Sequence, residues 1–124
     1  MAAITEDYIS FETAKLLKKK GFSLPSTNFE DWLCCMYDEN GNIQWGCYHS
    51  DYYARVTLQM AMKWLRELYN IKVNVFYNNS NYAIEYFEPN TQTGVGKFVF
   101  IGDGYDVYEE ACEAAIKYCL EKLI

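Results

Sequence analysis

Histidine and proline are almost missing from this chain, with one His and two Pro in 124 residues. A lone imidazole excludes a histidine-rich metal site, and two prolines exclude a polyproline or collagen-like segment. No pair of cysteines shows the CxxC spacing that aims two sulfurs at one zinc ion. Gly94-Val95-Gly96 and Gly102-Asp103-Gly104 match neither of the glycine-rich phosphate-binding fingerprints and read as turns. Positive charge is also scarce: 11 Lys and Arg face 17 Asp and Glu, for a net charge of −6. A field of that sign opposes a nonspecific grip on phosphate backbones or anionic lipid. No stretch approaches the roughly 20 apolar residues of a membrane-crossing helix. Residues Met1 to Ser10 already contain Glu6 and Asp7, unlike a secretory leader. Five cysteines, an odd number without framework spacing, point to free thiols and a reducing compartment. The expected location is the cytoplasm, of a bacterium or of a cell infected by a virus.

Apolar and aromatic residues are plentiful. The apolar fraction is 51%, enough for a packed core in a chain of single-domain length, so residues 1–124 read as one domain. Aromatics reach 18%, with 12 Tyr, 7 Phe and 3 Trp, more than so small a core can enclose.

The periodicity of these residues predicts the elements. A first helix over Phe11–Lys20 starts at Ser10, whose hydroxyl can accept a first-turn N–H, and buries Phe11, Ala14, Leu17 and Leu16. Lys18, Lys19 and Lys20 complement its negative end, and Gly21 with Phe22 forms a left-handed Schellman ending. Asn40-Gly41 predicts a two-residue hairpin turn between strands spanning Trp32–Tyr48. That register places Met36 opposite Trp45, Cys34 opposite Cys47 and Trp32 opposite His49, all on one buried face. A Tyr-rich connector follows.

A second helix, capped by Thr57, runs to Tyr69 with Leu58, Ala61, Met62, Leu65 and Leu68 as its stripe, and Asn70 ends it in the left-handed region. Three strands come next, over Ile71–Tyr77, Tyr82–Phe87 and Val95–Ile101, the last apolar enough to be central. The final helix starts at an acidic capping box of Asp106 and Glu109, with Cys112, Ala115, Ile116, Cys119, Leu120 and Leu123 inward. The fold class is therefore α+β, in the order α-β-β-α-β-β-β-α, an antiparallel sheet with helices packed on one face.

From Thr57 onward this order resembles the double-stranded RNA-binding domain. That family grips RNA through lysines at the start of its last helix. Here the matching stretch is Tyr108-Glu109-Glu110-Ala111-Cys112-Glu113, which repels phosphate.

Chemistry-bearing groups are sparse. Cys34, Cys47 and His49 would share a hairpin face and are the one conceivable zinc set, outweighed by the habit of free cysteines to pack as small hydrophobes. No nucleophile–base–acid spacing stands out, so no catalytic residue and no cofactor is assigned. Tyrosines are the remaining candidates, since they bury large area while keeping a hydroxyl for hydrogen bonding. Tyr48, Tyr52, Tyr53, Tyr82 and Tyr86 are the expected partner-binding residues.

Three stretches together carry a family likeness: Ile9-Ser10-Phe11-Glu12-Thr13-Ala14-Lys15-Leu16-Leu17 leading to Gly21-Phe22, then Thr57–Glu67, then Tyr108-Glu109-Glu110-Ala111 onward. The chain resembles a family of small uncharacterised proteins of gut Bacteroidales and their phages. That resemblance covers most of the chain and implies an accessory protein of a phage or mobile element. The expected function is non-enzymatic binding of a protein partner through an aromatic surface, with homo-oligomerisation left open. The alternative is a nucleic-acid or nucleotide-binding module that uses exposed aromatics.

Overall fold

The computed structural model describes residues 7–22, 34–46, 49–90 and 92–124. They fall into two compact units, Met1–Thr57 and Leu58–Ile124, each with its own three-stranded antiparallel sheet.

In the first unit, helix α1 spans Phe11–Lys19. The Ser10 hydroxyl accepts from the Thr13 amide at 3.3 Å and donates to the Thr13 hydroxyl at 3.1 Å. That pair lets the threonine side chain be fully buried beside Ala14 and Leu17. At the other end the Gly21 amide bonds the Lys18 carbonyl and the Phe22 amide bonds the Leu17 carbonyl. With Gly21 at φ 99°, this is the expected Schellman ending. Lys18 does more than face the helix end: its ammonium donates to the Ser50 and Tyr52 carbonyls at 2.6 and 3.0 Å.

Strands β1 (Cys34–Tyr37), β2 (Ile43–Gly46) and β3 (Tyr53–Ala54) order as β2-β1-β3. The short β3 lies inside the segment read from sequence as a connector. The hairpin register also differs from expectation by one residue. Cys34 pairs with Gly46, Cys35 with Trp45, Met36 with Gln44 and Tyr37 with Ile43. The cause is Asp38, whose carboxylate accepts from the amides of Asn40 and Asn42, both at 2.9 Å. It wraps a three-residue loop, Glu39-Asn40-Gly41, in which Gly41 at φ 86° takes the left-handed position and Asn40 does not. A one-residue shift exchanges faces. Met36 is therefore buried while Trp45 is 67% exposed, and the residue opposite Cys34 is Gly46. Trp32, Cys47 and Tyr48 lie outside the described residues.

The core of this unit is Ile9, Ala14, Leu17, Met36, Tyr37 and Val56, closed by the Tyr37 hydroxyl donating to the Ile9 carbonyl. The Phe11 ring packs against Tyr37 and Tyr53 at 5.6 and 5.5 Å. Arg55 lies with its guanidinium 4.0 Å from the centre of the Tyr8 ring, and one terminal nitrogen is 3.2 Å from the Cys35 sulfur.

The second unit opens with α2 (Leu58–Tyr69), ended as expected by Asn70 at φ 55°. Leu58, Ala61 and Leu65 are buried, whereas Leu68, read as part of the stripe, is 66% exposed. Strands β4 (Lys72–Asn78), β5 (Asn81–Glu88) and β6 (Lys97–Tyr105) form a meander with β5, not β6, in the centre. Consecutive hairpin pairing puts the third strand at the edge whatever its apolar content. Gly102-Asp103-Gly104 belongs to β6, where register shifts near Ile84 mark a bulge.

Helix α3 (Tyr108–Tyr118) packs on all three strands, and α2 packs beside α3 and β4. Both helices thus cover one face, as the α+β reading expected. Ala111 and Ala115 of α3 meet Ile84, ringed by Val73, Val75, Tyr82, Ile101 and Tyr105. Burying each large aliphatic side chain here contributes about 1.5–3 kcal/mol. The cap of α3 is Val107, with no side-chain hydrogen bond, so Asp106 does not serve as the expected capping acid. Over Cys119–Leu123 the last turn widens to π-helical hydrogen bonding. Among the described residues, no helix is long and apolar enough to cross a membrane.

Candidate functional site

Side chains alternate across a strand, so covering one face of β4-β5-β6 leaves a second face. The residues between those that meet α3 project there. Cross-strand pairing arranges them in rows: Lys72, Phe87 and Phe98; then Asn74, Glu85 and Phe100; then Phe76 and Ala83. Phe98 and Phe100 are 58% and 57% exposed. Phe76 and Phe87 are half-buried, and Ala83 is buried, so the open area lies toward β6.

The surface is built rather than incidental. Phe87 and Phe98 meet with ring centres 5.4 Å apart at 65°, an edge-to-face arrangement. The Lys72 ammonium stands 5.8 Å from the centre of the Phe87 ring. Behind that ring lies Gly96, where a β-carbon would fall 2.2 Å from the Phe87 ring and 2.8 Å from the Glu88 carbonyl. Only glycine lets the strand pass so close. The Asn74 amide donates to Glu85 Oε2 at 3.1 Å, which orients the one carboxylate among these rings.

Such a face can bury rings against a partner or stack them on planar groups. Each of the two exposed phenylalanines offers more than half of the roughly 150–250 Å² an aromatic side chain can bury. Covering both is worth about 5 kcal/mol at about 25 cal/mol per Å². Beside it, the β5–β6 connection encloses a cleft of about 480 Å³ lined by Glu88, Pro89, Asn90, Gln92, Val95, Gly96 and Lys97.

The tyrosines expected to bind a partner lie elsewhere. Tyr48 lies outside the described residues. Tyr52 stacks on His49 at 4.3 Å, and Tyr53 sits beneath the Lys18 ammonium at 4.9 Å. Tyr82 stands between Tyr77 and Tyr108 at 5.1 and 5.7 Å, and Tyr86 lies 6.3 Å from Tyr118. All four are half-buried and in contact with other rings of their own unit. Tyr82 and Tyr86 share β5, on its helix-covered side. Burial raises the Tyr86 and Tyr108 pKa values above the usual phenol range.

The zinc candidates Cys34, Cys47 and His49 are described only in part. Cys34 pairs with Gly46, Cys47 lies outside the described residues, and His49 Nδ1 accepts from the Asp51 amide at 3.1 Å. Among the described residues no group of three or more His, Cys, Asp or Glu could hold a metal ion. Cys112 and Cys119 are fully buried free thiols, as their place on the inner stripe implies. Burial pushes Cys119 up to about 12 and raises Cys112 as well.

No protein-family model, curated protein or solved structure matches the chain. What the sequence reading missed is Phe98 and Phe100. Their two-residue spacing on the last strand of a meander, which is an edge by construction, was the signal available.

Proposed function

We propose that this chain is a small, non-enzymatic binding protein that docks a protein partner on the open face of β4-β5-β6. The observation that carries the reading is the pair Phe98 and Phe100, more than half exposed on the face opposite α3. Rings held outward on a hydrogen-bonded sheet lose little further freedom when covered, which is why aromatic anchors dominate protein interfaces. The resemblance to small proteins of gut Bacteroidales and their phages supports an accessory role inside the bacterial cell.

A second reading has its own support. Phenylalanines displayed on a sheet are also how single-stranded nucleic acid is stacked. The net charge of −6 and the carboxylate of Glu85 among the rings weigh against it.

The test places a photo-crosslinking amino acid at position 98, or at the exposed Lys63 on α2 as control, in Bacteroidales extract. The reading expects an adduct specific to position 98 that excess wild-type protein competes away and F98A/F100A does not. Equal adducts at both positions, or equal competition by the variant, would sink it. A gel-shift titration at low salt with single-stranded RNA decides the second reading.

A further inference from the structure

We infer that the partner brings an arginine side chain to the open face, stacked on Phe98 and Phe100 and paired with Glu85. This deepens the docking role proposed above and rests on it. Glu85 occupies the central strand, directly opposite Asn74 on one side and Phe100 on the other. Directly opposed residues have β-carbons about 4.5–5.5 Å apart, so the carboxylate stands against the Phe100 ring. Its one hydrogen bond is from the neutral Asn74 amide, and no ion pair joins it to any described cation. The nearest ammonium on this face, Lys72, is engaged over the Phe87 ring instead.

Consider what covering this face does to Glu85. Any partner large enough to bury Phe98 and Phe100 also removes water from the carboxylate between them. An uncompensated buried charge costs more than the aromatic contacts return, so a purely apolar occupant is rejected. A cation carried by the partner compensates that charge most directly. Arginine fits better than lysine, because its planar guanidinium stacks on rings while its fork bonds a carboxylate. The chain's net charge of −6 favours encounter with a basic segment.

The test uses the whole protein and two short extended peptides, identical except that one carries arginine and the other its neutral isostere citrulline. Binding is followed through the backbone resonances of Glu85, Phe98 and Phe100. The wild type should prefer the arginine peptide by about tenfold or more, equivalent to about 1.4 kcal/mol. E85Q keeps the Asn74 contact and the fold, and should reduce that preference below about threefold, while F100A weakens both peptides. Equal affinity for the two peptides, including no binding of either, overturns the inference. So does an E85Q variant that still prefers arginine, or an oligouridine strand that binds these residues more tightly than the arginine peptide. If the arginine preference is absent while the position-98 adduct persists, the docking face stands without its arginine. Loss of both removes the docking face too.

Discussion

Replacing Gly96 with alanine tests whether the aromatic face is held up from behind. The new β-carbon would lie 2.2 Å from the Phe87 Cζ, 2.8 Å from its Cε1 and 2.8 Å from the Glu88 carbonyl oxygen. The ring is the far end of a side chain and can swing away. The carbonyl cannot follow easily, because Glu88 pairs with Lys97 next to Gly96. Overpacking of this kind costs about 1–3 kcal/mol. Alanine also restricts the unfolded chain, which offsets about 0.4–1 kcal/mol. The net loss is about 1.5 kcal/mol, or a Tm about 6 °C lower for a chain of this length. The displaced ring should also lose its nuclear Overhauser contact with Phe98, so the face changes along with the stability. Gly94 is the control: it sits at φ 75° with nothing within 4 Å of a new β-carbon. Alanine there costs about 1 kcal/mol of backbone strain and leaves the Phe87–Phe98 contact intact. A Gly96→Ala protein with unchanged or higher Tm and an intact Phe87–Phe98 contact would refute the reasoning.

Three further outcomes follow from charge and burial. The Asn42 amide, followed by that of Asn40, holds the Asp38 carboxyl below its ordinary 3.8. Its contribution to the hairpin is present above that value and is lost as pH falls through the lower folded pKa. Amide shifts of Asn40 and Asn42 should share a titration midpoint below 3.8, and a midpoint at or above it removes the claim. Cys119 ionises near 9.0 when unfolded but only at about 12 in the fold, so unfolding releases a proton in that window and stability falls as pH rises through it. Wild type should therefore lose stability more steeply than C119A above about pH 9, and parallel curves count against the burial argument. Mapped by mass spectrometry, Ellman's reagent should reach half-buried Cys35 well before Cys112 or Cys119.

Local chemistry decided much of this protein before any long-range contact. Ser10, Gly21 and Asn70 each fix a helix end through bonds to residues at most six positions away, so the sequence states them. The stripes of α2 and α3 and the alternation in β4 and β5 follow from the 3.6 and 2.0 periods, and with them the α+β class and the buried thiols Cys112 and Cys119. The hairpin turn is local too: Asn40-Gly41 permits two turn lengths, and the Asp38 carboxylate, bonded to amides two and four residues on, selects the longer one and turns Trp45 outward. Only the tertiary structure decided the faces of the second sheet. The apolar run of β6 reads equally as a central or an edge strand. Its position beside β5 alone, with α3 on the opposite face, is what exposes Phe98 and Phe100. Tyr82 and Tyr86 are turned toward α3 for the same reason: a strand's pattern specifies two faces, and the placement of the helices determines which one meets water.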